Sequence, residues 1–166
     1  MSDTQLPEPT WSTTTGRTSI NPERARETSN EALDRFLIME RINRYGWAFD
    51  ERRLDQMVEC FTEDGLWEGS VAGVTDYGPF TGREEIKAFM GDFFPVQSDQ
   101  RRHQFSNFII DFTDDDTATV HAYLVLWGSE NDHTAPVTAG PYRFVVRREQ
   151  GVWLLSELHG GWDSHF

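Results

Sequence analysis

Apolar residues in the first half of the chain recur at intervals of three and four, the spacing that places side chains on one face of a helix. This pattern predicts three helices. The first begins at Asn21-Pro22 or at the capping-box candidate Thr28-x-x-Glu31 and ends near Asp50-Glu51; the third begins at Thr81-Gly82-Arg83-Glu84. The apolar faces of the three helices are, in order, Leu33, Phe36, Leu37, Ile42, Tyr45 and Phe49; Leu54, Met57, Val58 and Phe61; and Ile86, Phe89, Met90 and Phe93.

The segment between the second and third helices is rich in turn-forming residues. Asp64-Gly65 predicts a turn, and residues 66–68 predict a short strand. Residues 73–82 predict a loop, because they contain three glycines and Pro79.

The second half of the chain changes to β-branched and aromatic residues with period-two alternation, which predicts strands. No helical stretch separates these strands, so a βαβ arrangement is excluded. Helices followed by a meander of antiparallel strands predict an α+β fold. The strands are predicted over 103–112, 117–128, 137–149 and 152–162, with turn signals at Asp114-Asp115-Asp116, Asn131-Asp132 and Gln150-Gly151.

The first twenty residues differ in composition from the rest. They contain six Thr, three Ser and two of the seven prolines, with few apolar residues between them. Such a segment buries too little apolar surface to offset its ordering entropy. We therefore expect a flexible arm over residues 1–20 and a single folded domain over residues 21–166.

Charge and cysteine content narrow the classes of partner. Fifteen Lys and Arg against 28 Asp and Glu give a formal net charge of −13, which disfavours nucleic acids and anionic membranes as partners. The single cysteine, Cys60, excludes an intramolecular disulfide and a cysteine-based zinc site, as is typical of a reducing compartment. The chain has no run of 18 apolar residues. We expect a cytoplasmic protein.

Two of the predicted strands present polar side chains among aromatic ones. Alternation places His103, Phe105, Asn107 and Ile109 on one face of the first long strand, and His121, Tyr123, Val125 and Trp127 on one face of the next. An apolar wall with a few placed polar groups is typical of a ligand pocket. The substrate-binding residues that we predict are Trp67, Phe105, Asn107, His121, Tyr123, Trp127, Tyr142 and His159.

Several short motifs occur in an order and spacing that resemble one family. They are Tyr45-Gly46-Trp47-Ala48-Phe49-Asp50, Phe61-Thr62-Glu63-Asp64, Phe80-x-Gly82-Arg83-Glu84, His103-x-x-x-Asn107 and Gly151-Val152-Trp153. Over residues 30–160 the chain resembles the SnoaL-like branch of the nuclear-transport-factor-two-like superfamily. The resemblance implies a cone in which three helices cover the concave face of a strongly bent, mostly antiparallel sheet and enclose one deep pocket.

Within that superfamily the chain looks most like cofactor-free lyases, such as scytalone dehydratase. Those enzymes share an Asp near the end of the first helix and a His on the sheet, and several add a Tyr five residues before the Asp. Asp50, His103 and Tyr45 match these positions one by one. The resemblance thus implies a catalytic set of these three residues. A helix places residues five apart about 140° apart, so Tyr45 and Asp50 share a pocket only if the helix ends near Asp50.

The same three residue types make chemical sense without the resemblance. A neutral imidazole takes a proton, a carboxylate on its other nitrogen fixes the tautomer, and a phenol donates to a leaving group or an enolate oxygen. This set suits proton abstraction with β-elimination and needs no metal or cofactor. The segment His159 to His165 has three potential ligands but ends in a tail, so we expect no metal site.

We therefore predict a cofactor-independent lyase that acts on an apolar cyclic or aromatic small molecule. The alternatives are an isomerase or polyketide cyclase with the same base, and a non-catalytic binding or assembly module. We also expect a homo-oligomer, for which the resemblance to the lyases implies a trimer more than a dimer, formed through the outer face of the sheet. The reason is that the first long strand carries apolar residues on both faces, with Phe108 and Ile110 opposite Phe105 and Ile109.

Overall fold

The computed structural model describes residues 11–14 and 31–166 of the chain. Both predicted starts of the first long helix, Asn21-Pro22 and Thr28-x-x-Glu31, lie wholly or partly outside the described residues, as does most of the predicted arm. Within the arm, Trp11 donates from Nε1 to Asp163 Oδ1 at 2.8 Å, so this indole lies against the end of the last strand. No helix among the described residues is long and apolar enough to cross a bilayer.

The helices are α1 (Trp11–Thr14), α2 (Glu31–Asp50), α3 (Leu54–Val58) and α4 (Arg83–Phe93). The last three are the predicted ones, and α2 ends at Asp50 as expected. The buried stripe of α2 consists of Ile38, Ile42, Tyr45 and Phe49. Leu33, Phe36 and Leu37, which we had placed on the apolar face, are exposed because they lie off this stripe. Phe61 begins the first strand and does not belong to α3.

Six strands form one sheet, which confirms the α+β fold. They are β1 (Phe61–Val71), β2 (Thr75–Thr81), β3 (Gln100–Phe112), β4 (Thr117–Glu130), β5 (His133–Glu149) and β6 (Val152–Trp162), in the spatial order β2-β1-β6-β5-β4-β3. Only the β1–β6 pair is parallel, so the sheet is mostly antiparallel as predicted. Helices α2 and α4 lie on its concave face and α3 packs against both of them, which matches the predicted cone.

Two of the predicted turns have the backbone of tight hairpins. Asn131 and Asp132 have φ of 51° and 61°, and Gln150 and Gly151 have φ of 51° and 81°. Two consecutive positive φ angles are what a two-residue hairpin loop of type I′ requires, because its twist matches that of the strands. These short loops hold β4, β5 and β6 in one continuous meander.

The region before α4 differs from the prediction. Asp64-Gly65 lies inside β1, where the pairing with β6 is irregular between Phe61 and Leu66, and does not form a separate turn. Residues 75–81 form β2 where we expected only loop. Pro79 is compatible with this strand because β2 is at the edge of the sheet, where one side of the backbone needs no partner.

A bulge in β3 overturns the predicted faces of that strand. Asn107 has φ of 56°, and the register with β4 shifts between Ser106 and Ile109. An extra residue in one strand reverses the alternation beyond it. Phe108 and Ile110 therefore pack into the core together with Phe105, while Ile109 is exposed on the outer face.

The two faces of β4 are also exchanged relative to our expectation. The aliphatic residues Val120, Ala122, Leu124 and Leu126 face the concave side and are buried, whereas Tyr123 is 53% exposed on the outer face. With the bulge, this leaves the outer face less apolar than predicted. One row across it reads Ile109, His121, Arg143, His159 and Glu68. A homo-oligomer through this face stays a prediction. It is less strongly supported, because the outer face is less apolar than the sequence indicated.

Candidate functional site

A pocket of about 180 Å³ lies between α2, α4 and the concave face of the sheet. Its wall is mainly aromatic and aliphatic. The residues that matter for its chemistry are Tyr45, Trp67, Arg101, His103, Tyr142 and Trp162. Gly69 makes room for the Trp162 indole, because a Cβ there would lie 2.3 Å from the ring.

Asp50 and His103 form a two-point contact beside this pocket. His103 Nδ1 lies 2.6 Å from Asp50 Oδ1, and the main-chain N–H of His103 donates to Asp50 Oδ2 at 2.8 Å. Both side chains are buried, with about 5% of each exposed. An ionised carboxylate only accepts hydrogen bonds, so in a neutral imidazole bonded to it Nδ1 carries the ring proton and Nε2 keeps its lone pair.

The end of α2 places Asp50 at this point. Arg52 has φ of 54°, and Arg53 N donates to Ala48 O at 2.8 Å while Arg52 N donates to Phe49 O at 2.9 Å. These two bonds around a left-handed residue form the Schellman motif that stops a helix. Because α2 stops here, both Tyr45 and Asp50 turn towards the concave side of the sheet, which is the condition the sequence left open.

Three hydrogen bonds, from one side-chain amide and one guanidinium, connect the end of α2 to the start of β3. Gln100 Nε2 donates to Asp50 O at 2.7 Å, and Arg52 Nη2 donates to the main-chain oxygens of Gln97 and Asp99 at 3.0 and 2.9 Å. Gly46 allows the close approach, since a Cβ at this position would lie 3.3 Å from both His103 and Phe105. His103 is thus held in place both through its main chain and through its imidazole ring.

Tyr45 contributes a phenol to the same pocket. Trp67 Nε1 donates to the Tyr45 hydroxyl oxygen at 3.2 Å, which leaves the phenolic proton available for another acceptor. Burial, more than any other cause, raises the pKa of Tyr45 well above its ordinary value of 10.0. The phenol therefore stays protonated at any pH where the protein works.

Comparison with known families agrees with this architecture. Residues 30–159 match the SnoaL-like domain. The chain belongs to this family. No curated protein sequence matches it.

Solved structures share the fold of this SnoaL-like domain. A protein of unknown function with a cystatin-like fold from Nostoc punctiforme is 25% identical, with a TM-score of 0.70, and the match covers 80% of this chain and 92% of that one. An NTF2-like protein from Novosphingobium aromaticivorans is 22% identical, with a TM-score of 0.67 and coverages of 80% and 84%. ActVI-ORFA from Streptomyces coelicolor is 23% identical, with a TM-score of 0.67 and coverages of 78% and 97%.

The residues that we predicted for substrate binding divide into three groups. Trp67 and Tyr142 line the pocket. Phe105 lies behind the wall, in edge contact with Tyr142 and Phe144. The bulge places Asn107 outside the pocket, and the exchanged faces of β4 do the same for His121, Tyr123 and Trp127. His159 lies on the outer face of β6, and none of these five residues takes part in the site that we propose.

The two histidines of the outer face, His121 and His159, have different surroundings. His159 bridges two carboxylates, with Nδ1 2.6 Å from Glu68 and Nε2 2.7 Å from Glu157. His121 is buried, and its ring nitrogens have no hydrogen-bond partner among the described residues. Burial lowers the pKa of His121, which keeps this imidazole neutral. No cluster of potential metal ligands occurs in the part of the chain that the structure describes.

Sequence reasoning missed Arg101 and Trp162, which both line the pocket. Arg101 could have been found, because residues 101, 103 and 105 alternate onto one face of β3 before the bulge. The predicted strand began only at His103, so Arg101 was left outside it. Trp162 becomes a wall residue only because β1 has a glycine opposite its ring.

The buried tyrosines of this SnoaL-like domain predict a loss of stability at high pH. Burial raises the pKa of Tyr45 and of Tyr142 above 10.0, so both folded phenols keep protons that the unfolded chain releases. Their contribution to stability is complete below pH 10 and declines above it, by about 1 kcal/mol per pH unit for each group. Urea denaturation at several pH values checks this. Tyr142→Phe should show a shallower decline, and an equal slope in both proteins would contradict it.

Proposed function

We propose that this SnoaL-like domain is a cofactor-independent lyase that removes a proton from carbon and then expels a leaving group. The observation that carries the proposal is the two-point contact between Asp50 and His103 beside an apolar pocket. In this proposal His103 is the general base, Asp50 is the residue that positions it, and Tyr45 is the proton donor.

The proton path follows from the hydrogen bonds. Nε2 of His103 takes the proton from a substrate carbon, and the ring becomes an imidazolium whose Nδ1–H stays bonded to Asp50. The carboxylate stabilises this positive charge without itself taking the proton. The electron pair left on carbon forms a double bond as the β-substituent leaves, and Tyr45 donates a proton to the departing atom.

The size and lining of the pocket limit the substrate. A cavity of about 150 Å³ accepts a benzene molecule, so this one of about 180 Å³ suits a compound of one or two rings. Most of the wall is apolar, and its polar groups include the base, the phenol, one guanidinium and the side chains of Gln97 and His165. An apolar ring with polar groups at one end is the best match to such a lining.

The proposal is tested with hydrogen exchange in D₂O. One- and two-ring ketones that carry a hydroxyl or halide β to the carbonyl are incubated with the protein and followed by proton NMR. We expect loss of the α-proton signal together with the vinyl signals of the elimination product, and neither with His103→Gln. Exchange without elimination would support the isomerase or cyclase alternative, because enolate formation is the same first step.

A non-catalytic binding module is the other alternative. A pocket filled by Trp67, Phe105 and Trp127 would favour this module. Trp67 lines the pocket, whereas Phe105 and Trp127 lie outside it, and polar groups also face the space. Binding of the ketones by titration, with no exchange of any α-proton across the series, would establish the module and overturn the lyase.

Tyr45→Phe tests the role of the phenol. The variant keeps the ring but loses the donated proton and the acceptor for Trp67 Nε1. We expect elimination to slow by about 10- to 100-fold, because a neutral donor contributes less than the base. The α-proton exchange should change much less. Equal loss of both rates would show that the phenol acts on the first step and not on the leaving group.

A further inference from the structure

The guanidinium of Arg101 lies next to the base, His103, but forms no hydrogen bond with it. Arg101 lines the pocket and precedes His103 by two residues on β3, so the two side chains leave the same face of the strand, with Cα atoms about 7 Å apart. Its Nε donates to Asp99 Oδ1 at 2.6 Å. Only 12% of the side chain is exposed. The group is therefore a fixed cation inside the pocket rather than a mobile surface charge.

The far side of this guanidinium has unused donors. Nη1 and Nη2 have no hydrogen-bond partner among the described residues, and the Phe166 ring lies 5.3 Å from Cζ. The aromatic ring takes water away from one face of the cation. A partly desolvated guanidinium whose two terminal nitrogens are free forms strong, charge-assisted bonds to an oxygen acceptor.

We propose that Arg101 binds the carbonyl oxygen of the substrate and stabilises the negative charge that moves onto it, so that the substrates are enolisable ring ketones. This inference rests on the proposed function of His103 as the base.

The movement of the electrons assigns a different substrate atom to each of the two donors, Arg101 and Tyr45. His103 Nε2 forms a bond to the proton as the C–H bond breaks, and that electron pair becomes the C=C bond of the enolate. The carbonyl π pair moves to oxygen, where Arg101 holds it. When the carbonyl re-forms, the pair on oxygen returns to the C=O bond and the C=C pair of the enolate forms the new double bond between the α- and β-carbons. The bond to the β-substituent breaks, and the substituent leaves with that bonding pair and takes a proton from Tyr45. Arg101 therefore serves the oxygen and Tyr45 serves the leaving group.

The test uses 4-nitrophenol, whose anion resembles an enolate and absorbs at longer wavelengths than the neutral phenol. Bound to the wild-type protein, the phenolate should be favoured over the phenol by about tenfold or more, which appears as a fall in the pH at which the bound compound turns yellow. Arg101→Gln should reduce this preference to less than about twofold. Arg101→Lys, which keeps the charge and the partner Asp99, should retain part of it.

Arg102→Gln is the matched control. Arg102 is the next residue on β3, but its side chain is 48% exposed and pairs with Glu51. This variant should leave the preference for the phenolate unchanged. If wild type shows no preference, or Arg101→Gln keeps it, the assignment of Arg101 is wrong.

A second comparison separates this inference from the proposed lyase. Binding of the phenolate needs no base, so His103→Gln should keep the preference while it loses all α-proton exchange. A protein that prefers the phenolate through Arg101 yet exchanges no ketone proton would retain the anion site and overturn only the lyase. Loss of the preference in His103→Gln would mean that the imidazole, rather than Arg101, supports the anion.

Discussion

Replacement of His103 by Ala should lower the rate of elimination by about 10²- to 10⁴-fold, the loss that normally follows removal of a positioned general base. The reason is that Tyr45 and Arg101 donate protons or carry fixed charge, and the other imidazole of the lining, His165, has no carboxylate bonded to its ring among the described residues. The measurement is the initial rate of vinyl product formation with the best ketone of the exchange series.

Added imidazole sharpens this experiment. His103→Ala leaves a space beside the pocket, and a free imidazole that enters it should restore part of the rate in proportion to its concentration. His133→Ala is the matched control, since His133 is exposed at the start of β5, and it should keep the wild-type rate. Near wild-type turnover in His103→Ala would end the proposed mechanism.

Asp50→Asn should be almost as damaging, with a loss of up to about 10⁴-fold in turnover. The amide oxygen can still accept the main-chain N–H of His103, as Oδ2 does now. The amide NH₂ then faces Nδ1, where Oδ1 accepts today, and forces the ring proton onto Nε2. The nitrogen that should take the substrate proton is then already protonated.

Asp50→Ala distinguishes this tautomer effect from a simple loss of structure. It removes both acceptors and leaves a buried main-chain N–H without a partner, which should lower the free energy of unfolding by about 1–3 kcal/mol. Asp50→Asn should unfold close to wild type in urea while it lacks activity. An active Asn variant would show that Asp50 has no part in setting the tautomer.

Much of the fold could be predicted from the spacing of the apolar residues and from the turn-forming residues. The buried positions Ile42, Tyr45 and Phe49 of α2, the stop at Asp50 and the hairpin turns depend on local sequence, and the structure has each of them. The predicted stripe was wrong at Leu33, Phe36 and Leu37, which are exposed. Asp50, Tyr45 and His103 were brought together by resemblance, because contacts between residues 53 positions apart leave no local signal. Their meeting depends on the helix stop at Arg52, where a left-handed conformation is unusual for a residue that is not glycine.

The errors have one main cause, which is that alternation was continued through a bulge. Nothing in the sequence around Asn107 requires a β-bulge at this position, although Asn tolerates a positive φ better than most residues do. One inserted residue reverses every later side chain of β3. Likewise, β2 was read as loop because its glycines and proline are compatible with a strand only at the edge of a sheet.

Asp50 accepts two hydrogen bonds from residue 103, and this arrangement has an evolutionary consequence. One oxygen holds a main-chain N–H, which any residue except proline supplies, and the other holds an imidazole, which only histidine supplies. In a descendant that has abandoned the reaction, selection on the side chain at 103 disappears while the main-chain bond still favours an acid at 50. We expect such lineages to lose the histidine first and to keep the aspartate as a trace of the ancestral chemistry.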